Sequence, residues 1–193
     1  MKRLRFSPLL GMLLFSYMLI EGSFDPLWLL FFSLVHELGH IAVIRLLGGN
    51  IGSFAGKGQG FSLAVNGLSY QGELLAALAG PVTSLVLAVG FGLAAWFGGG
   101  ERLWYFCFAN GALAAMNLLP ILPLDGGRVL RAVLALRCPL HRQRMILQTV
   151  GLSVLLPLLG LSFWQFLSSG YKISLLFVCF YLISLIGANE YDV

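Results

Sequence analysis

The stretch from Pro26 to Leu47 is apolar for long enough to cross a bilayer, and it carries His36, Glu37 and His40 in its middle. At ~1.5 Å per residue it would cover about 33 Å as a helix, slightly more than the hydrocarbon core of a membrane. Pro26 suits the first turn of such a helix, and Gly48-Gly49 suits its end. Ionisable side chains at that depth are expensive, so a cluster of three needs a role that compensates for them. Together they spell H-E-x-x-H. On a helix, His36 and His40 share one face and can reach one metal ion. Glu37 falls on the edge of that face, where it can take a proton from water at the metal. A lone buried histidine is usually a hydrogen-bonded packing residue. Two at this spacing, with an acid between them and inside a span, point to a metal centre.

The rest of the chain is built for the same solvent. Its 193 residues are 59% hydrophobic and 10% charged, whereas soluble domains carry about 25% charged residues. Several spans leave no room for a sizeable soluble domain, so residues 1–193 read as a single transmembrane domain. A net charge of +4 would suggest nucleic acid for a soluble protein. Here the placement of the basic residues carries the information, and no nucleic-acid partner is expected. Cys107, Cys138 and Cys179 are scattered without a C-x-x-C pair, so they propose neither a disulfide framework nor a structural zinc site.

The predicted architecture is an all-α polytopic membrane protein of about six spans with a small β-hairpin after the second. Lys2, Arg3 and Arg5 precede a short apolar run from Pro8 to Ile20. It resembles the start of a signal peptide but lacks a small-x-small cleavage site, and reads as a retained first helix. Pro26 to Leu47 is the second span. Between Asn50 and Gly72, glycines and an alternation of Phe61, Leu63 and Val65 lead to Asn66-Gly67, a type I′ turn signal, and Leu68 and Tyr70 resume the alternation. This predicts a hairpin, either a plain connection or an edge able to pair with an extended peptide. Glu73 to Phe97 is the third span, with a kink or close crossing at Ala79-Gly80-Pro81, and Leu103 to Leu119 is the fourth. Pro120, Pro123, Gly126 and Gly127 then interrupt regular helix around Asp125. Val129 to Leu140 reads as an amphipathic surface helix and His141 to Arg144 as a basic loop. Met145 to Leu167 and Ile173 to Ala188 are the fifth and sixth spans. With six spans, ten of the 12 Lys and Arg residues fall on the side of the termini. Only Arg102 and Lys172 fall on the other, which places both termini in the cytosol.

A catalytic zinc takes three protein ligands and leaves a position for water. His36 and His40 supply two. The rest of the pool is His141 and the acids. Glu21, Asp25, Glu101, Glu190 and Asp192 sit in turns or tails, and Glu73 opens a span. Asp125, at the interrupted backbone, is the favoured third ligand. His141 is the rival, with Arg142 and Arg144 beside it disfavouring a cation. A helix N-cap or an Asp-Gly turn would also account for Asp125.

The chain resembles the site-2 protease family of intramembrane zinc metalloproteases. The resemblance rests on His36-Glu37-Leu38-Gly39-His40, Ala79-Gly80-Pro81, the hairpin between them, and Asn117-x-x-Pro120-x-x-Pro123-x-Asp125-Gly126-Gly127. These motifs mark a catalytic core over about residues 26–137, followed by the fifth and sixth helices within 145–188. The resemblance implies one Zn2+ per chain bound by His36, His40 and Asp125, with Glu37 as the catalytic acid/base. It also implies that Asn117 and Pro120 help to position substrate. The six-span layout is similar to the sporulation stage IV branch, whose members often carry a C-terminal CBS domain. None follows here before Val193, which leaves a truncation or a minimal form. A bacterial cell membrane is the expected location. The expected partners are the bilayer, a transmembrane or membrane-associated protein substrate, and a regulatory membrane protein.

The reaction expected is hydrolysis of a peptide bond in or near a membrane segment. Glu37 handles the proton, and Asn117 is available to donate a hydrogen bond to substrate or to an oxyanion. Two other classes compete. A metal-ion transporter would use His36, His40 and Asp125 as a transit site, but there is no second intramembrane carboxylate pair to form a relay. An inactive membrane scaffold would have no use for Glu37.

Overall fold

A computed structural model describes residues 25–51, 65–66, 68–122, 124–168, 179 and 183. Five helices order this part of the chain: α1 (Asp25–Leu46), α2 (Tyr70–Trp96), α3 (Glu101–Asn117), α4 (Asp125–Ala135) and α5 (Leu140–Ser168). A minimal antiparallel pair, β1 (Asn50–Ile51) with β2 (Val65–Asn66), lies between α1 and α2. Three of the helices are long and apolar enough to cross a membrane: Leu27–Leu46, Tyr70–Trp96 and Leu140–Ser168. Their outward faces carry large bare side chains such as Leu34, Val86, Trp96, Phe163 and Trp164. That is a liability in water but ordinary against lipid, and the chain is an integral membrane protein.

Glycine ends α1 and α2 in the same way. Gly48 and Gly98 have φ of 74° and 105°, the left-handed region that glycine enters without steric cost. After α1, Gly48 N donates to Arg45 O at 3.1 Å and Gly49 N to Ile44 O at 2.9 Å. After α2, Gly98 and Gly99 donate to Ala95 O and Ala94 O at 3.3 and 3.1 Å. Both pairs are Schellman closures, which satisfy carbonyls that a helix end leaves bare.

Close packing of α1 on α2 depends on small residues. Ala76, Ala77, Ala79, Gly80 and Pro81 are all buried on α2. A Cβ on Gly39 of α1 would collide with Thr83 Oγ1 and lie 3.1 Å from Ala79 O. In lipid no hydrophobic force drives helices together, so backbone approach of this kind supplies the packing energy. At one end of the bundle, Phe106 of α3 completes the contact. Its ring centroid lies 4.8 Å from Trp28, 5.2 Å from Phe32 and 5.3 Å from Phe91. Between α3 and α4, Ile121 is fully buried and packs with Leu155, which ties α5 to this turn.

Several expectations need correction. Ser69 caps α2, its Oγ accepting from Gly72 N at 3.2 Å. Tyr70 therefore opens a helix instead of ending a strand. The strand pairing runs Asn50 to Asn66 and Ile51 to Val65, not across Asn66-Gly67, because a capped helix start outcompetes the turn signal two residues before it. The remaining hairpin positions, 52–64 and 67, lie outside the described residues. Helix α3 runs two residues earlier at each end than the expected fourth span, and its 17 residues, about 26 Å at the helical rise, are at the short end of what crosses a membrane. Helix α4 begins at Asp125, four residues before the expected surface helix, so the backbone break is confined to the turn before it. His141 belongs to the first turn of α5 and not to a basic loop. The expected first helix lies outside the described residues, as does the sixth span except Cys179 and Ile183, both helical.

Candidate metal centre

His36 and His40 lie one turn apart on the buried face of α1, 3% and 2% exposed. Their rings stand nearly perpendicular, at 77°. The facing side of α2 presents Ala76, Gly80 and Ser84, spaced one turn apart, and each has a separate task. Ala76 O accepts from His40 Nδ1 at 2.7 Å. A carbonyl can only accept, so Nδ1 holds the proton, and in the neutral ring Nε2 carries the lone pair. Ser84 Oγ lies 2.9 Å from His36 Nδ1 and orients the second ring. Gly80 supplies the space between them. A Cβ there would collide with His40 Nε2 and reach His36 Nε2.

Asp125 closes the group from the opposite direction. It is the first residue of α4 and is buried. Its Oδ2 lies 3.0 Å from His36 Nε2 and 3.1 Å from His40 Nε2. The two Nε2 atoms are 3.2 Å apart. Its placement follows from the two glycines behind it. A Cβ on Gly126 would strike the carbonyls of Leu118 and Leu119, and one on Gly127 would lie 2.6 Å from the Ile121 carbonyl carbon. Only glycine lets the start of α4 press this closely onto the turn that follows α3. Arg128 Nη1 lies 3.3 Å from the other carboxylate oxygen, Oδ1.

Two imidazole nitrogens and a carboxylate oxygen thus converge with three edges of 3.0, 3.1 and 3.2 Å. A tetrahedral ion with bonds of ~2.0 Å would separate its ligands by about 3.3 Å. The donor set and its spacing therefore fit zinc. Glu37 is exposed, and its carboxylate lies within the 4.8 Å that encloses the ligand atoms of His36, Glu37 and His40. It borders the group without entering the buried face. Asn117 is half-buried at the end of α3, where its Nδ2 donates to Leu113 O at 2.9 Å, and Pro120 is half-buried in the following turn. The structure does not bring His141 to the group. It is exposed on α5.

Sequence reasoning missed Ser84, the Ala76 carbonyl and Arg128; the close crossing expected at Ala79-Gly80-Pro81 is present, but that Gly80 also keeps space for two histidine rings was not foreseen. Ser84 left a usable trace, because a small polar residue in an apolar span faces another polar group when buried. The Ala76 carbonyl left none, since every residue has one.

The chain is similar to known proteins in both sequence and fold. The pattern described as Peptidase family M50 matches residues 95–158. A zinc metalloprotease of Methanocaldococcus jannaschii is 31% identical over 137 residues, 68% of this chain and 40% of that protein. Rip3 of Mycobacterium tuberculosis is 36% identical over 123 residues, 58% of this chain and 31% of that protein. The chain thus spans less than half the length of these curated relatives. The solved structure of the site-2 protease from Methanocaldococcus jannaschii superposes with a TM-score of 0.67 at 24% identity, covering 96% of this chain and 87% of that one.

Proposed function

The chain belongs to the site-2 protease family, and from that premise we propose that it is an intramembrane zinc metalloprotease, hydrolysing a peptide bond in or near the transmembrane segment of a membrane-bound protein. The observation that carries this reading is the convergence of His36 Nε2, His40 Nε2 and Asp125 Oδ2 within 3.2 Å of one another, beside Glu37. His36, His40 and Asp125 would hold the zinc that the family uses. When bound, zinc supplies Lewis-acid polarisation of the scissile carbonyl and makes water acidic enough to attack it near neutral pH.

The side chains divide the remaining work. Ala76 O and Ser84 Oγ keep both Nε2 atoms turned toward the centre, as outer-shell partners do for metal-binding histidines. Glu37 takes the proton from attacking water through a carboxylate oxygen and returns it to the leaving amine nitrogen. Asn117 and Pro120 would position the substrate. The Asn117 amide already satisfies a helix carbonyl through Nδ2, which leaves its second N–H for a substrate carbonyl or oxyanion. A helical substrate must first become extended, since its carbonyls are otherwise held in i to i−4 bonds. Pairing along the strands between α1 and α2 would assist that step. The six-span layout in a bacterial cell membrane, with both termini in the cytosol, belongs to the same reading. It is supported by ten of the 12 basic residues falling on one side.

The test is cleavage of a library of single-span peptides co-reconstituted with the protein in liposomes, comparing wild type with Glu37→Gln. Zinc-dependent cleavage by wild type and none by the variant supports the assignment. Cleavage that survives Glu37→Gln, or that chelation leaves unchanged, would refute it.

A further inference from the structure

The two oxygens of Asp125 do different things. Oδ2 faces both histidines at 3.0 and 3.1 Å, while Oδ1 faces Arg128 Nη1 at 3.3 Å. The carboxylate side chain is 8% exposed and the arginine side chain 30%, so the guanidinium reaches inward from the rim to a buried partner. The backbone allows little play in this pair. Arg128 lies three residues after Asp125 on the first turn of α4, and its N–H bonds Leu124 O at 3.1 Å. The glycines between them leave no room to shift, because each presses on the backbone of residues 118–122.

The geometry points to Arg128 as a positioning residue that ties Asp125 Oδ1 and leaves Oδ2 alone to face the histidine pair. This rests on the metal reading above and adds to it. A carboxylate can offer one oxygen or two to a cation. A centre of three protein ligands and a water stays four-coordinate only if each ligand supplies one atom. With Oδ1 held by a charged N–H donor, the carboxylate cannot swing its second oxygen inward. Arg128 also supplies a full positive charge to a buried acid whose other neighbours are two imidazoles. A buried carboxylate without such a partner is strongly penalised.

The experiment compares wild type, Arg128→Met and Arg128→Lys as purified full chains, with Zn2+ and Co2+ as probes. Zinc affinity is read by competition with a chelator. The visible spectrum of the Co2+ form reads coordination number, being intense for four ligands and weak for five. Arg128→Met is expected to weaken zinc by about 10- to 100-fold, the range for lost outer-shell partners, and to shift the Co2+ spectrum toward five-coordinate. Arg128→Lys restores the four-coordinate spectrum. Arg128→Met with wild-type affinity and spectrum overturns the positioning role alone. Equal losses in both variants, with a lowered unfolding midpoint of the metal-free protein, overturn it in favour of a structural role. Wild type that takes up neither ion overturns the metal reading itself.

Discussion

Gly80→Ala separates the metal centre from the fold around it. The added methyl would point at His40 Nε2 and His36 Nε2, the two atoms proposed to hold zinc. Neither ring can retreat freely. His40 is anchored to Ala76 O at 2.7 Å, one turn before Gly80 on α2, and His36 to Ser84 Oγ at 2.9 Å, one turn after it. Loss of an outer-shell partner costs about 10- to 100-fold in metal affinity. A methyl in the space of the ligand atoms should cost at least the upper end, about 100-fold or ~2.7 kcal/mol. The effect on metal-free stability is smaller, because alanine is favoured over glycine inside a helix by ~1 kcal/mol while overpacking costs about 1–3 kcal/mol. A net change of roughly 0–2 kcal/mol is expected from these two terms. The assay is zinc competition with a chelator, alongside thermal unfolding of the metal-free protein in detergent. Gly90→Ala is the control, since a Cβ at that position of the same helix meets nothing within 4 Å. Wild-type zinc affinity in Gly80→Ala would refute the reasoning, as would an equal loss in Gly90→Ala.

Three further outcomes are expected. Asp125→Ala should lose zinc on elemental analysis of the detergent-purified protein while His141→Ala keeps about one ion per chain; the reverse would move the third ligand to α5. Ser84→Ala should weaken zinc by about 10-fold through the freed His36 ring, and an unchanged chelator competition curve would remove Ser84 from the site. Gly126→Ala should lower stability by about 1–3 kcal/mol, because its Cβ meets the Leu118 and Leu119 carbonyls and α4 must move. An unchanged unfolding midpoint would show that the turn yields freely.

Much of the architecture was legible because its determinants are local. Apolar runs, the glycine pairs at 48–49 and 98–99, and Pro26 gave three of the helices within a few residues of their ends. The errors fell where two local signals compete. Asn66-Gly67 is a good turn dipeptide, but Ser69 is a good helix cap, and the cap prevailed once α2 had α1 to pack against. The prolines and glycines around Asp125 predict a broken backbone there. Asp125 opens α4 because Gly126 and Gly127 let that helix start directly against the preceding turn.

Local spacing alone places His36, Glu37 and His40 on one helix, with His36 and His40 on one face of it, because side chains four residues apart line up on every α-helix. The sequence also narrowed the distal partner to Asp125 or His141, because so few ionisable residues occur outside turns and tails. Which of those two meets the histidines depends on packing across 85 and 89 residues of chain, and it is Asp125 that does. The contacts of Ala76 O, Ser84 and Arg128 and the space kept by Gly80 likewise come from packing. Periodicity carries information over a turn or two of helix. Which faces then meet is settled by how closely the backbones can approach, and here glycines at 39, 80, 126 and 127 set that distance.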